Sequence, residues 1–458
     1  MNVPTDLAEI LAASSVFKSA YLVGGCVRDS ILQLQVKDFD IEVFGVSYQE
    51  LLKALEPWGR ADLVGKSFGV VKLRSKNGEN YDFSIPRRDS KTSVGHKGFK
   101  ISFDETLQPE EASARRDFTI NSMMFHVAAK ELLDHHGGLQ DLRAGILRHT
   151  SDAFGEDPLR VLRGFQFVSR FELEAAPETI RLCRSMAHTY PELPVERVRD
   201  EWIKWATQSK SPKLGLGFLS ATGWLQHYPE LAAMEGTPQD VRWHPEGDVW
   251  IHTNYCCDAL VGLPEWRAQT EEDKLCLMLA VLTHDIGKPG TTQLIAEDGN
   301  TRISSPAHET KGLPLAESLL KRLGMPIRII EGVLPLIQNH MIPAGNLNER
   351  GVRRLSKRLE PATIPKLCLV MQADRGGRPP RTPKSSEDLE LLMEKARLLT
   401  VDKGGPKPLI QGRHLIQRGW VPGPNFKKIL DEAYEAQLDG QFTTAAEAEN
   451  WLNTRLSK

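Results

Sequence analysis

The sequence predicts an α+β N-terminal head followed by an all-α neck, body and tail. Three observations carry this. Short apolar or alternating runs bounded by turn residues crowd positions 19–150. From Glu156 onward strand signals nearly vanish and helical periodicity takes over. The length, 458 residues, exceeds one ordinary core and implies three or four modules at ~100–200 residues each. The boundaries expected are 1–150 for the head, 151–215 for the neck, 216–385 for the body and 386–458 for the tail.

Composition narrows the class. With 40% hydrophobic and 26% charged residues, the chain is that of a soluble globular protein. No run of about 18 apolar residues is present, so no membrane span is expected. The segment MNVPTDLAEILAASSVF lacks a basic stretch followed by an apolar core and is not a secretory signal. Six cysteines are scattered, and Cys256–Cys257 are adjacent rather than at metal-ligand spacing, so reduced thiols in a cytoplasmic protein are expected. The formal net charge of −2 argues against indiscriminate binding along nucleic acid. One window, 346–386, is basic. Ten cations (Arg350, Arg353, Arg354, Lys357, Arg358, Lys366, Arg375, Arg378, Arg381, Lys384) face three acids (Glu349, Glu360, Asp374), a local charge of +7. It suits either RNA-backbone contact or a solvated helix face.

In the head, AYLVGG, DFDIEVFG, GVVKLRS and NYDFSIP read as strands, and CVRDSILQL and YQELLKALEPWG as helices packed on them. The first strand ends at Gly24–Gly25, where a helix begins. Glycines let a backbone approach phosphates, and a helix start offers free N–H groups. Arg28 lies in the first turn, within reach of a triphosphate. In the next strand, Asp38, Asp40 and Glu42 share one side and Phe39, Ile41 and Val43 the other. Two carboxylates about 7 Å apart on a strand can bridge a pair of Mg²⁺ ions and phosphate oxygens. Such ions lower the pKa of an attacking hydroxyl and stabilise a pyrophosphate leaving group. On its own, the same D-x-D spacing also describes the charged face of an edge strand. Asp82 in Tyr81–Ser84 is a candidate third acid. Residues 87–100, RRDSKTSVGHKGFK, read as a mobile loop. Arg115, Arg116 and Asp117 precede a core-type run and form a polar group at an element's edge.

The helical part opens at GEDPLRVLR. Asp157 before Pro158 is a natural helix start. Asp157 and Arg160, three apart, fall on one side of that helix, where an acceptor beside a donor can pair with the edge of a base. Glu156 is placed to brace Arg160. Further on, VERVRDEWIKWATQ, EDKLCLMLAVLTHDIG, GLPLAESLLKRLG and EDLELLMEKARLLTV have helical periodicity, and RGGRPPRTPKSSEDL reads as a linker.

GGxVRD, DFD, RRDFTIN and EDPLRVLR, in this order, resemble the class II CCA-adding enzyme and poly(A) polymerase family, within the polymerase β-like nucleotidyltransferases. The resemblance covers essentially the whole chain. It implies that Asp38 and Asp40 are catalytic ligands of two Mg²⁺ ions and that Gly24, Gly25 and Arg28 hold the triphosphate. It implies that Arg115, Arg116 and Asp117 orient the ribose. Glu156, Asp157 and Arg160, with Arg163 on the same helix, would select CTP and then ATP, and the 87–100 loop would assist the switch. The partners implied are the tRNA 3′ acceptor end, CTP and ATP, with the protein a monomer or homodimer. DHHGGLQD, Asp134 to Asp141, resembles the family's head–neck hinge but departs from its Pro-containing form at His135–His136, so no role is carried over.

The body holds a second series: His252, His284–Asp285, His308, His340 and Asp374. Imidazoles and carboxylates together can hold a transition metal and activate water. The series resembles a complete HD phosphohydrolase domain, and the leader HPEGDVW from His244 resembles the HD-bearing multifunctional enzymes of the same family. A structural relic that binds no metal is the alternative. The tail segment GRHLIQRGWVPGPNFKKILDEAYEAQLDG, Gly412 to Gly440, resembles the part that grips the outer tRNA. It is also readable as a plain helix–turn–helix packing unit.

The function expected is addition of CMP, CMP and AMP to tRNA 3′ ends, with an HD-domain phosphohydrolase activity. The rivals are a poly(A) polymerase, an A-only or CC-only enzyme of the same family, and a metal-dependent phosphohydrolase whose head merely binds RNA.

Overall fold

Alternation of apolar and polar residues builds the sheet of the head. Its strands are β1 (Ala20–Val23), β2 (Phe39–Val43), β3 (Gly59–Val64), β4 (Val70–Ser75) and β5 (Asn80–Ser84). A hairpin of β6 (Arg87–Lys91) and β7 (Phe99–Phe103) follows, then β8 (Met124–His126) and β9 (Glu131–Leu133). Seven of them form one sheet in the order β3-β4-β5-β2-β1-β8-β9. Ile41, Val43, Val71, Leu73, Tyr81 and Phe83 are buried on one face, while Lys72 and Arg74 are exposed on the other. The computed structural model describes the chain apart from Asn2, Lys37, residues 65–69, 92–98, 298–299 and 381–385, and Lys458.

β2 and β5 run parallel, with Asp40 opposite Asp82; the β1–β2 and β1–β8 pairs are antiparallel. The central position of β2 sets the functional geometry, because its polar face looks out beside the turn that ends β1. The segment expected as a loop at 87–100 is partly ordered: β6 and β7 pair from Arg87↔Phe103 to Lys91↔Phe99. The centre of that loop lies outside the described residues.

Contacts divide the chain into two units, Met1–Trp205 with Leu214–His227, and Ala206–Lys213 with Tyr228–Lys458. The first unit thus joins the sheet to the helix Leu159–Phe171 and to the helix Val195–Gln208 as far as Trp205. Their packing centres on Phe165, Trp202 and Trp205, whose ring centroids lie 4.8–5.4 Å apart. Asp134 accepts from the amides of Gly138 and Leu139 at 2.7 and 2.9 Å, and Asp141 accepts from Thr119 Oγ1 at 2.7 Å. The segment Asp134–Asp141 therefore ties its own helix to the chain just after Asp117.

Among its described residues the second unit is helical, with one two-stranded hairpin, Gln293–Glu297 with Asn300–Ser304. Its core helices are Val249–Gly262, Glu271–Thr283, His308–Arg322, Ile327–Asn339 and Ile364–Gly376. The tail helix Pro424–Leu438 follows the Pro-Gly-Pro break and packs around Ile429, Ala433 and Phe442. The basic window is engaged within its own unit rather than presented as a patch. Arg350 and Arg354 pair with Asp439, Lys357 with Glu360, Arg375 with Asp388 and Arg378 with Asp374, and Lys366 pairs with Asp273. Arg353 donates to the Leu438 carbonyl and Arg358 to Asn339. Arg381 and Lys384 lie outside the described residues.

Candidate active site and a second polar cluster

The first site grows from the β1 turn. Gly24 has φ of +72°, a conformation that glycine adopts at no steric cost. A Cβ there would stand 3.4 Å from Arg116 Nη1, so the turn also leaves room for the arginine. Gly25 then starts the helix Gly25–Ile31. Around this turn lies a cleft of about 620 Å³. Asp40, Glu42, Gly24, Gly25, Arg28, Arg115, Arg116, Asp117, Asp157, Arg160 and Arg163 all line it. Nine cations line the cleft against four carboxylates, which makes it strongly positive in a near-neutral chain and focuses the field on an anion.

Each predicted residue has a definite place. Asp40 is partly open to solvent, yet the cleft walls push its carboxyl above the usual range; Arg116 opposes this, and Asp82 and Asp38 add to it. Asp38 is exposed just before β2 and is not among the cleft's lining residues. Asp82 pairs with Lys72 at 3.5 Å. Glu42 is buried and meets Arg116 at 3.4 Å. Arg28 is buried too. It pairs with Asp29 at 2.7 Å, donates to Asn121, and lays its guanidinium over Phe171 at 4.3 Å. Arg28 is therefore a rigid wall of the cleft, not a floating arm.

Asp117 is the most constrained carboxylate of the group. Burial alone would raise its pKa, but Arg163, Asn121 and the Phe118 amide hold it below the usual range. Arg163 Nε donates to it at 2.6 Å. Asp157 caps the next helix through the Leu159 amide at 3.0 Å and pairs with Arg197 at 2.9 Å. Arg160 donates to the carbonyls of Ala153 and Arg115 at 2.6 and 2.7 Å. These two carbonyls make the hydrogen bonds to Arg160, while Glu156 acts on it through its charge. Glu156 does not line the cleft. Sequence reasoning missed Asn121, Arg170, Arg197 and Lys204, which line the same cleft. No local signal marks them: Arg197 meets Asp157 across 40 residues of chain.

The second cluster collects His252, His284, Asp285, His308, His340 and Asp374 from the ends of five helices, all of them buried. The four imidazoles share one arrangement. Nδ1 of His284 lies 2.7 Å from the Val281 carbonyl, that of His308 2.8 Å from Ser305, and that of His340 2.7 Å from Ile337. Nδ1 of His252 lies 2.7 Å from Glu246 Oε1. These acceptors anchor Nδ1 and turn each Nε2 inward, where His252 Nε2 meets Asp374 Oδ1 at 3.0 Å and His308 Nε2 meets Asp285 Oδ1 at 3.1 Å. The Nε2 atoms of His308 and His340 face each other at 3.3 Å. His284 Nε2 is buried without a hydrogen-bond partner. Asp285 and Asp374 are held well below the usual range: burial opposes this, but His284 and Lys288 outweigh it for Asp285, and His252 and Arg378 for Asp374. Ionised carboxylates and inward-facing Nε2 atoms are a donor set that could hold a metal.

Glu246, Cys256, Lys288 and Arg378 also belong to this cluster, whereas the sequence placed Arg378 in the basic window and read Cys256 as a reduced thiol outside metal-ligand spacing. Lys288 Nζ stands 2.6 Å from Asp285 Oδ2, and Arg378 donates to Asp374 at 2.7 Å. The sequence carried one usable signal, the i, i+4 spacing of His252 and Cys256, which puts both on one helix face. All six cysteines are free and buried.

Comparison with known proteins finds two family domains along the chain. The poly A polymerase head domain family matches residues 20–148, and the HD domain family matches residues 249–375. The multifunctional CCA protein of Pasteurella multocida is 34% identical over 370 residues, covering 78% of this chain and 84% of that one. That of Haemophilus influenzae is 38% identical over 312 residues, covering 67% and 71%. Among solved structures, the Bacillus stearothermophilus CCA-adding enzyme in complex with CTP superposes with a TM-score of 0.66 at 19% identity over 99% of this chain and 98% of that one. The Thermotoga maritima CCA-adding enzyme complexed with tRNA superposes with a TM-score of 0.59 at 18% identity, with full coverage of both chains. These two show the same fold. Among the described residues, no helix is long and apolar enough to cross a membrane. With 34% identity across 78% of this chain and 84% of the Pasteurella multocida relative, this chain belongs to the multifunctional CCA protein family.

Proposed function

We propose that the protein adds CMP, CMP and AMP to the 3′ end of tRNA from CTP and ATP. In each cycle the terminal 3′-hydroxyl attacks the α-phosphate, a P–O bond forms, and pyrophosphate leaves. The observation that carries this reading is the shared cleft: Asp40 and Glu42 on β2 face the Gly24–Gly25 turn across a wall of arginines. Asp40 stands opposite Asp82 in the parallel pair, two like charges on one face, which a bound cation relieves. Asp38 and Asp40 are the residues we assign to Mg²⁺. When bound, the two ions activate the hydroxyl and stabilise the leaving group.

The chain's own residues do the rest. Arg116, with Gly24 and Gly25 beneath it, receives the triphosphate. Arg28 stiffens that wall through its stack on Phe171. Asp117 is anchored by Arg163, so the segment after Arg115–Arg116 presents a fixed edge to the ribose. Asp157 and Arg160 offer an acceptor and donors to the base. Two of Arg160's five N–H groups are taken by backbone carbonyls, which orients the remainder. A template fixed this way selects by geometry rather than by adjustment. The body's His–Asp cluster supports a second activity, hydrolysis of phosphate esters by a metal-activated water, and the tail supports tRNA contact.

The test is tRNA lacking its last three nucleotides, incubated with CTP and ATP. Extension by three nucleotides and no further is expected. A long adenosine product indicates a poly(A) polymerase. No extension, together with hydrolysis of 2′,3′-cyclic phosphates, indicates a phosphohydrolase with an RNA-binding head.

A further inference from the structure

We infer that Cys256 is a ligand of the body's metal centre, so that this centre takes a thiophilic ion such as Zn²⁺ in preference to Mg²⁺. The inference rests on the reading that the His–Asp cluster holds a metal. It adds a thiolate to a set otherwise built from imidazoles and carboxylates.

The helix Val249–Gly262 presents His252 and Cys256 one turn apart on the same face. Cys256 Sγ lies 3.3 Å from His252 Nε2, closer than the 3.8 Å to the Asp374 carbonyl. One atom each from His252, Cys256, His284 and Asp374 fall within 4.8 Å of one another, and all four residues are buried. Tetrahedral zinc, with donors at ~2.0–2.3 Å, spaces its ligand atoms by roughly 3–4 Å. The His252 Nε2 to Asp374 Oδ1 distance of 3.0 Å and the His284 Nε2 to Asp374 Oδ1 distance of 3.9 Å span that range. His284 Nε2 is buried, makes no hydrogen bond and faces Asp285 Oδ2 at 3.3 Å, a second sign that the set is built around something.

The surrounding chain makes room for the sulfur. A Cβ at Gly377 would stand 2.3 Å from Cys256 Sγ, so only a glycine at the end of the Ile364–Gly376 helix admits the thiol at this depth. Glu246 accepts from His252 Nδ1, which leaves Nε2 as the donor atom on the Cys256 side. Cys257, equally buried, is not in the donor set. Coordination deprotonates a thiol, so binding releases one proton to solvent and forms one metal–sulfur bond. Sulfur ligands shift preference away from hard ions and toward zinc or cobalt.

The experiment uses the full chain, freed of metal by chelation and titrated with Co²⁺. Wild type, Cys256→Ser and Cys257→Ser are compared, with folding checked by circular dichroism. The thiolate-to-cobalt charge-transfer absorption in the near ultraviolet is expected in wild type and Cys257→Ser and absent from Cys256→Ser. In competition with a zinc chelator, Cys256→Ser is expected to hold Zn²⁺ at least about tenfold more weakly. Cobalt bound by wild type without that absorption, or an unchanged spectrum in Cys256→Ser, overturns the ligand assignment while leaving a metal centre in place. No cobalt bound in the body of wild type overturns the metal reading itself.

Discussion

Asp117 Oδ2 accepts a hydrogen bond of 2.6 Å from Arg163 Nε, tying the segment after the adjacent arginines to the helix that begins beyond Asp157. The pair joins two parts of one cleft, so it bears on both stability and activity. The folded-state carboxyl is lowered by Arg163 and Asn121 against burial. A depressed pKa adds stability that is full above the unfolded carboxylate value and fades as pH falls through the folded one. Asp117→Asn is therefore expected to cost ~2–3 kcal/mol near neutral pH. The deficit should narrow in acid, below the usual carboxylate range. Denaturant melts of both proteins across pH check this. A deficit that grows in acid contradicts it.

Asp40 is exposed and stands beside other acids, so losing its carboxylate should not weaken the fold. Asp40→Ala is expected to lower CMP incorporation into tRNA at least about a thousandfold with an unchanged Tm. Retained incorporation would sink the metal assignment.

The base-selecting reading depends on Asp157 being held by Arg197 and Arg160 by two carbonyls. Arg197→Ala should leave nucleotide addition intact but release Asp157. Discrimination for CTP and ATP over UTP and GTP is then expected to fall by about tenfold, comparable to one lost hydrogen bond to a charged group. Arg160→Ala should relax it at least as far. Unchanged kcat/KM ratios in both variants would remove the template from these side chains.

The two clusters lie in separate units, so their chemistries should separate. His284→Ala is expected to abolish hydrolysis of 2′,3′-cyclic phosphates and to leave CCA addition within about twofold. Parallel loss of both activities in a folded variant would contradict the assignment.

Arg354 makes ion pairs with Asp439 and Glu435 in its own unit. Its replacement by alanine should leave the tRNA Kd, and the slope of its salt dependence, nearly unchanged, because a cation already neutralised releases few counterions on binding. A steep loss of affinity on filter binding would return this window to the RNA interface.

Much of the head was legible because its signals are local. Gly24–Gly25 declares a turn with φ unsuited to other residues. The alternation Phe39 to Val43 declares which carboxylates face away from the core. Asp157 before Pro158 declares a helix start. The body series was legible only as a pattern, since the ordered histidines and aspartates gave no distances. Where reasoning from spacing failed, it was at partners chosen across the fold. Glu156 was expected to brace Arg160 and does act on it through its charge, but the hydrogen bonds come from the Ala153 and Arg115 carbonyls. The basic window was readable as RNA contact or as a solvated face, and only the fold shows its partners, such as Asp439, Asp388 and Asp273.

Residue order by itself determined which side chains have chemistry to offer and which face of each strand or helix they occupy, because those follow from backbone periods of 2 and 3.6 residues. Tertiary structure alone decided which of them meet. Arg197 reaches Asp157 and Cys256 reaches the His–Asp cluster because packed helices bring distant positions within bonding distance, and no local period encodes that contact.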